Sequence, residues 1–208
     1  MIAIIDYHVG NLGSVTNAFR RLGMDVEVTR DHEIIRQADG IVLPGVGSFP
    51  VAMKHLAQYN LIDVLNEVKD KGTPILGICL GMQILFETGY EFGVTKGLGF
   101  LKGTVEYMQV DEKLPHMGWN QLVFNQNHAI LSYIDEGDYV YFVHSYAANC
   151  PDDELIAYCE YGGMKVPAIV GCDHVLGCQF HPEKSGEVGK LILKAFKEIV
   201  ENDCHSCN

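Results

Sequence analysis

Cations are scarce in this chain. Fifteen lysines and arginines stand against 27 aspartates and glutamates, giving a net charge of −12 and a pI near 5.1. A surface so short of positive charge does not suit nucleic acid or an anionic membrane, which leaves small molecules and other proteins as partners. Long apolar runs are missing too. Met1-Ile2-Ala3-Ile4-Ile5-Asp6-Tyr7 has no basic flank and only five apolar residues, so it does not read as a signal peptide, and no run approaches the length of a bilayer span. A cytoplasmic location is therefore expected. Tryptophan occurs once, at position 119, and neither a repeat nor a low-complexity linker is visible. The seven cysteines (79, 150, 159, 172, 178, 204 and 207) are odd in number, which fits a disulfide framework poorly and thiols kept reduced well.

What remains is a globular composition of 48% hydrophobic, 20% charged and 10% aromatic residues over 208 positions. That length favours one domain, read as residues 1–202 with a tail at 203–208. Strand-like and helix-like segments alternate in the first half. Residues 2–6, 26–29, 41–43 and 74–78 read as short buried strands. Helical spacing occupies 12–22, 31–38, 51–71 with a break near Asn60, and 80–87. Such alternation implies a parallel sheet with right-handed, helical crossovers. The second half is richer in short β-segments, near 100–109, 119–124, 139–143, 155–160, 166–171 and 175–180, and helical periodicity returns over 188–199. The expected fold is α/β: an open, mostly parallel, flavodoxin-like sheet flanked by helices, with an antiparallel extension.

Three motifs carry chemistry. Gly77-Ile78-Cys79-Leu80-Gly81 has the G-x-nucleophile-x-G form of a strand-to-helix elbow, whose glycines allow a sharp turn that projects the side chain above the sheet. A thiol there meets the N–H groups at a helix start, which favour negative charge, and the Leu80 N–H can receive an oxyanion. The pentapeptide alone equally suits a buried cysteine at a strand–helix junction. Gln179-Phe180-His181-Pro182-Glu183 singles out one base among nine histidines, since Pro182 biases His181 toward extended backbone and positions i and i+2 of an extended segment share a face. Glu183 can then orient His181, although a lone H-P-E also occurs in solvated loops. Pro44-Gly45-Val46-Gly47 ends a parallel strand, where such sheets bind ligands. It offers a second oxyanion N–H near Val46 and Gly47, or an ordinary turn.

Together these motifs resemble the class I (triad) glutamine amidotransferases, over nearly the whole chain and in family order. The resemblance implies Cys79 as nucleophile, His181 as general base and acid, and Glu183 as orienting carboxylate. It further implies Val46, Gly47 and Leu80 at the oxyanion, and Gln83, Ser145 and Tyr146 around the amino-acid end of glutamine. No cofactor and no metal is called for. Narrower stretches, namely Asp6-Tyr7 with Gly10-Asn11-Leu12, PGVGSF, GICLGMQ, Gly97-Leu98-Gly99, PHMGWN, YFVHSY and QFHPEKS, resemble the branch that serves histidine biosynthesis. Members of that branch pass ammonia to a cyclase subunit with a (β/α)8 barrel, forming a heterodimer. A paralogue feeding another synthase, such as one for a surface sugar, would share the same glutaminase half.

Asn11, His116, Met117, Trp119 and Asn120 are the expected partner surface. Tryptophan and methionine favour interface cores, although a lone tryptophan also suits a protein core. His8 departs from the glycine usual at that place in the family. Cys204-His205-Ser206-Cys207 offers only three potential metal ligands at a chain end and is left unassigned. Cys172, His174 and Cys178 are read as flanking a hairpin, and His144 as structural or near the substrate.

Overall fold

Alternation along four short strands divides the interior in two. In the computed structural model, which describes backbone for residues 1–206 and side chains for residues 1–203, β1 (Ile2–Ile5) sends Ile2 and Ile4 to one face and Ala3 and Ile5 to the other. The strands β2 (Val26–Thr29), β3 (Gly40–Gly45) and β4 (Ile75–Cys79) run parallel to β1 in the order β2-β1-β3-β4. One face is covered by α1 (Leu12–Arg21) through Val15 and Phe19. The other is covered by α2 (His32–Gln37), α3 (Phe49–Gln58) and α4 (Leu61–Asp70) through Ile35, Leu56, Leu61 and Leu65. Both faces are thus buried, as a parallel sheet requires. Local signals set the helix ends. Asp31 accepts hydrogen bonds from the Glu33 and Ile34 N–H groups, and Asn60 breaks α3 from α4 in a left-handed conformation, φ 55°.

A helix expected over 80–87 stops short. After β4, α5 spans only Leu80–Gln83, and β5 (Phe86–Gly89) follows. The carbonyls of Ile84, Leu85, Phe86 and Glu87 accept from the backbone N–H groups of 97–100 instead of continuing a helix. Gly97 permits that approach, because a Cβ there would lie 2.0 Å from the Phe86 carbonyl oxygen. Tertiary pairing overrides helical propensity here.

The chain continues through β6 (Thr95–Lys96), β7 (Leu101–Tyr107), β8 (His116–Gln121), β9 (Val123–Phe124), β10 (Tyr139–His144) and β11 (Tyr146–Asn149). It then forms β12 (Leu155–Tyr161), β13 (Met164–Cys172) and β14 (Val175–Cys178), and ends in α6 (Gly186–Ser206). Strands β13 and β14 are the expected hairpin around Asp173 and His174. Strand β14 lies parallel to β4, completing an eight-stranded mixed sheet, β2-β1-β3-β4-β14-β13-β12-β9. A four-stranded sheet, β11-β7-β5-β6, and a β8–β10 ribbon form the extension. Strands β5, β6 and β11 lack a clear alternation and were not foreseen. The backbone of α6 runs past the boundary expected at 202, while the side chains of the Cys204-His205-Ser206-Cys207 stretch lie outside the described residues. Among the described residues no helix is long and apolar enough to cross a membrane.

This topology brings three strand ends together. Gly45 of β3 is level with Cys79 of β4, and Ile78 is level with Cys178, so Gln179 and His181 emerge from β14 beside Cys79. Cys79 itself sits at φ 55°, ψ −111°, which a non-glycine residue adopts only when its surroundings compel it. The compulsion is close packing. A Cβ on Gly81 would lie 1.7 Å from the Leu43 carbonyl oxygen, and one on Gly77 would lie 2.6 Å from the Gly81 carbonyl oxygen.

Gly81→Ala should therefore push the elbow off β3 and lower stability by roughly 2–4 kcal/mol, read by denaturant unfolding. Gly13→Ala, on the solvent side of α1 with nothing beyond the helix's own backbone within 4 Å of the new Cβ, should be neutral or stabilising by up to about 1 kcal/mol.

Candidate active site

His181 is held by its backbone before its side chain is considered. Its N–H donates to the Tyr141 carbonyl at 3.0 Å, and its own carbonyl accepts from the Ser185 hydroxyl at 2.7 Å. The same hydroxyl oxygen accepts from the Tyr141 N–H at 2.9 Å, so Ser185 clips the histidine loop to β10. His181 is extended, φ −99°, as a residue before proline should be. Pro182–Lys184, however, form one 3₁₀ turn, so Glu183 meets His181 by curling back and not by sharing an extended face.

The result is a buried pair. His181 Nδ1 lies 2.8 Å from Glu183 Oε1, with the two side chains 3% and 1% exposed. A carboxylate on Nδ1 fixes the proton there and leaves Nε2 facing the Cys79 side. Among the described residues Nε2 is buried without a regular hydrogen-bond partner, and the Cys79 sulfur is one of the two groups that favour its protonated form. Burial alone would depress the imidazolium, but the Cys79 sulfur and the Glu183 carboxylate outweigh it and raise the His181 pKa to about 9. The helix that follows Cys79 is only four residues long, so His181, more than a helix dipole, is the group to balance charge on the sulfur.

A cavity of about 380 Å³ opens over this pair. Its wall contains Val46, Gly47, Cys79, Leu80, Gln83, Ser145, Tyr146 and His181, eight of the nine residues expected at the nucleophile, oxyanion and substrate; Glu183 stands behind His181. Gly47 has φ +112°, a conformation open to glycine, and faces open space where a Cβ would stand. The strand end below it is braced, since the buried Tyr7 hydroxyl donates to the Pro44 carbonyl at 2.7 Å. His8, at φ 61°, lies outside this contact, with its Nε2 3.1 Å from Arg30 and its ring 5.3 Å from that of Tyr59.

Three wall residues were not assigned to the site from sequence: Glu91, Val143 and, in part, His144. Glu91 sits in the turn after β5, and its Oε2 accepts from the Phe49 N–H at 2.8 Å, where Ser48 provides no side-chain cap to α3. Nothing local in Tyr90-Glu91-Phe92 announces that role, which depends on the unforeseen β5. The β-alternation of Tyr139–His144 could have marked His144 as inward-facing.

The ribbon of β8 and β10 separates the expected partner residues. Trp119 faces Tyr141 and Met117 faces Val143 across the strands, and Trp119 and Met117 are 55% and 61% exposed. Asn11 is exposed and caps α1 by accepting from the Ser14 N–H, while Asn120 is half-buried. His116 corrects the expectation. It belongs to the opposite face of the pleat, is buried, and stacks between Phe142 and Tyr161 at 4.6 and 4.0 Å. Burial presses both His116 and His144 down to about 4, so both are neutral at physiological pH.

The sequence profile of the family "Glutamine amidotransferase class-I" matches residues 3–199. A protein named imidazole glycerol phosphate synthase subunit HisH, from Lactococcus lactis subsp. lactis (strain IL1403), is 58% identical over 199 residues, covering 96% of this chain and 98% of that protein. One of the same name from Bacillus cereus (strain G9842) is 49% identical over 201 residues, covering 97% and 96%. Among solved structures, a crystal structure of glutamine amidotransferase superposes with a TM-score of 0.76 at 19% identity, covering 96% of this chain and 98% of that one. A structure of PurLQS from Thermotoga maritima gives a TM-score of 0.76 at 19% identity with the same coverage, so at this distance the likeness is one of fold. The chain belongs to the glutamine amidotransferase class-I family.

Proposed function

We propose that this chain is the glutaminase subunit of an imidazole glycerol phosphate synthase. It hydrolyses glutamine to glutamate and delivers the ammonia to a cyclase subunit. The observation that carries the reading is the buried His181–Glu183 pair beside an elbow cysteine, all at one cavity. The Cys79 thiolate attacks the carboxamide carbon of glutamine, and the N–H groups of Leu80 and of the Val46–Gly47 segment receive the oxyanion. His181 gives its Nε2 proton to the departing amide nitrogen, which leaves as ammonia. Water then attacks the glutamyl thioester, with His181 taking its proton as base, and glutamate and the thiolate are released. Glu183 keeps Nδ1 protonated through both steps. Gln83, Ser145 and Tyr146 suit the amino-acid end of glutamine, and the Glu91 carboxylate has the right charge for its α-ammonium group.

The partner in this reading is a (β/α)8-barrel cyclase, seated on the face that carries Met117 and Trp119 together with Asn11. There the ammonia reacts with an aminoimidazole carboxamide ribotide precursor to give imidazole glycerol phosphate. Free Gly47 and exposed Val46 support a peptide that turns when the partner and its acceptor ligand are bound, so idle hydrolysis is limited.

Cys79→Ala should abolish glutamine hydrolysis and leave partner affinity unchanged by calorimetry; full hydrolysis by that variant would remove Cys79 from the mechanism. The kcat/KM profile should fall as pH rises through about 9, where His181 loses its proton. Glu183→Gln should lower kcat roughly a hundredfold or more, and should move that basic limb to lower pH because a group that favours the imidazolium is gone. Trp119→Ala should weaken partner binding by about 2 kcal/mol or more while the slow hydrolysis of the free chain is unchanged.

A further inference from the structure

A continuous series of side-chain hydrogen bonds runs from Asn120, on the ribbon, to Cys79. The Asn120 Nδ2 lies 3.3 Å from His116 Nε2, and His116 Nδ1 lies 3.0 Å from His144 Nε2. His144 Nδ1 lies 2.8 Å from the Tyr146 carbonyl oxygen. The same carbonyl accepts from Gln83 Nε2 at 3.1 Å, and Gln83 Nε2 also donates to Gln179 Oε1 at 3.0 Å. Gln179 Nε2 in turn lies 3.9 Å from the Cys79 sulfur.

Every donor in the series is fixed by its neighbours. A carbonyl only accepts, so His144 must carry its proton on Nδ1. Being neutral, His144 accepts at Nε2, and His116 must then donate from Nδ1. His116, also neutral, accepts at Nε2 from the Asn120 amide. That amide is held in turn, its Nδ2 donating to the Glu160 carbonyl at 2.9 Å and its Oδ1 accepting from the Gln121 N–H at 2.8 Å. At the other end, both acceptors within reach of Gln83 Nε2 are oxygens. The Gln83 amide can therefore point only one way, and among the described residues its Oε1 takes no hydrogen bond at the cavity wall. Two donors converge on the Tyr146 oxygen, so no proton can travel the whole length. What the series transmits is orientation.

We propose that Asn120, His116 and His144 are positioning residues for glutamine. By fixing the Tyr146 carbonyl and, through it, the amides of Gln83 and Gln179, they present Gln83 Oε1 to the substrate as an acceptor. The inference rests on the cavity being the glutamine site. The series starts at Asn120, next to Trp119 in sequence but on the opposite, half-buried face of the β8 pleat, beside Glu160.

The test compares two replacements of His116 in the two-subunit enzyme. His116→Phe keeps the stack between Phe142 and Tyr161 but leaves His144 Nε2 without a donor. His116→Asn keeps a donor, because an asparagine Nδ2 falls near the place of a histidine Nδ1. His116→Phe should raise the KM for glutamine about tenfold with kcat changed less than about threefold, and His116→Asn should return KM to within about threefold of the parent. Equal impairment of both variants, or an unchanged KM in His116→Phe, would overturn the proposal. Nitrogen-15 spectra of the unaltered protein at about pH 7 should show His116 and His144 both neutral with the proton on Nδ1. An Nε2 proton on either overturns it without any turnover being measured. Failure of the glutamine reading itself would appear separately, as hydrolysis surviving Cys79→Ala.

Discussion

The elbow at Cys79 depends on one contact that excludes a single methyl group. Gly81 passes so close to the Leu43 carbonyl that β3 and β4 act as a clamp on the turn between them. Only with that clamp closed does a cysteine keep a backbone conformation that L-residues resist. The sulfur's height above the sheet, its approach to His181 and the opening of the cavity all follow from the clamp. Strain is concentrated at one residue, and the buried Ile, Leu and Val of the two cores supply the rigidity that holds it.

Electrostatics then sorts three neighbouring histidines by what stands next to each. His181, His144 and His116 are all buried, and burial alone disfavours a cation at each of them. A carboxylate and a thiol beside His181 reverse that outcome. His116 is packed between the Phe142 and Tyr161 rings, and buried His144 is pressed further down by its neighbours His116 and His181, so both stay neutral. One cluster thereby holds an imidazole that favours its protonated form together with two that stay neutral.

The legible parts of this molecule were those written in local signals. The parallel half could be read from buried runs and caps such as Asp31 and Asn60, and the elbow from its two glycines. The meeting of Cys79, His181 and Glu183 was legible because their motifs place them at neighbouring strand ends whatever the loops do. The hydrogen bonds of 84–87 with 97–100 could not be read, because a segment with helical spacing was drawn into a sheet by a partner ten or more residues away. Glu91 was lost with that strand. His116 was misplaced for a different reason: Pro115-His116-Met117-Gly118-Trp119-Asn120 looks like a loop motif, yet it pleats, and the pleat sends alternate residues to opposite faces. Reading it as a strand would have separated His116 from Trp119.

Ser145 belongs to neither neighbouring sheet. The chain leaves the β8–β10 ribbon at His144 and enters the four-stranded sheet at Tyr146, and residues on both sides of the step line the cavity. That wall is therefore a seam between two plates. The step from one plate to the other falls at that single serine, so a tilt of either plate shifts one side of the cavity wall against the Cys79 side.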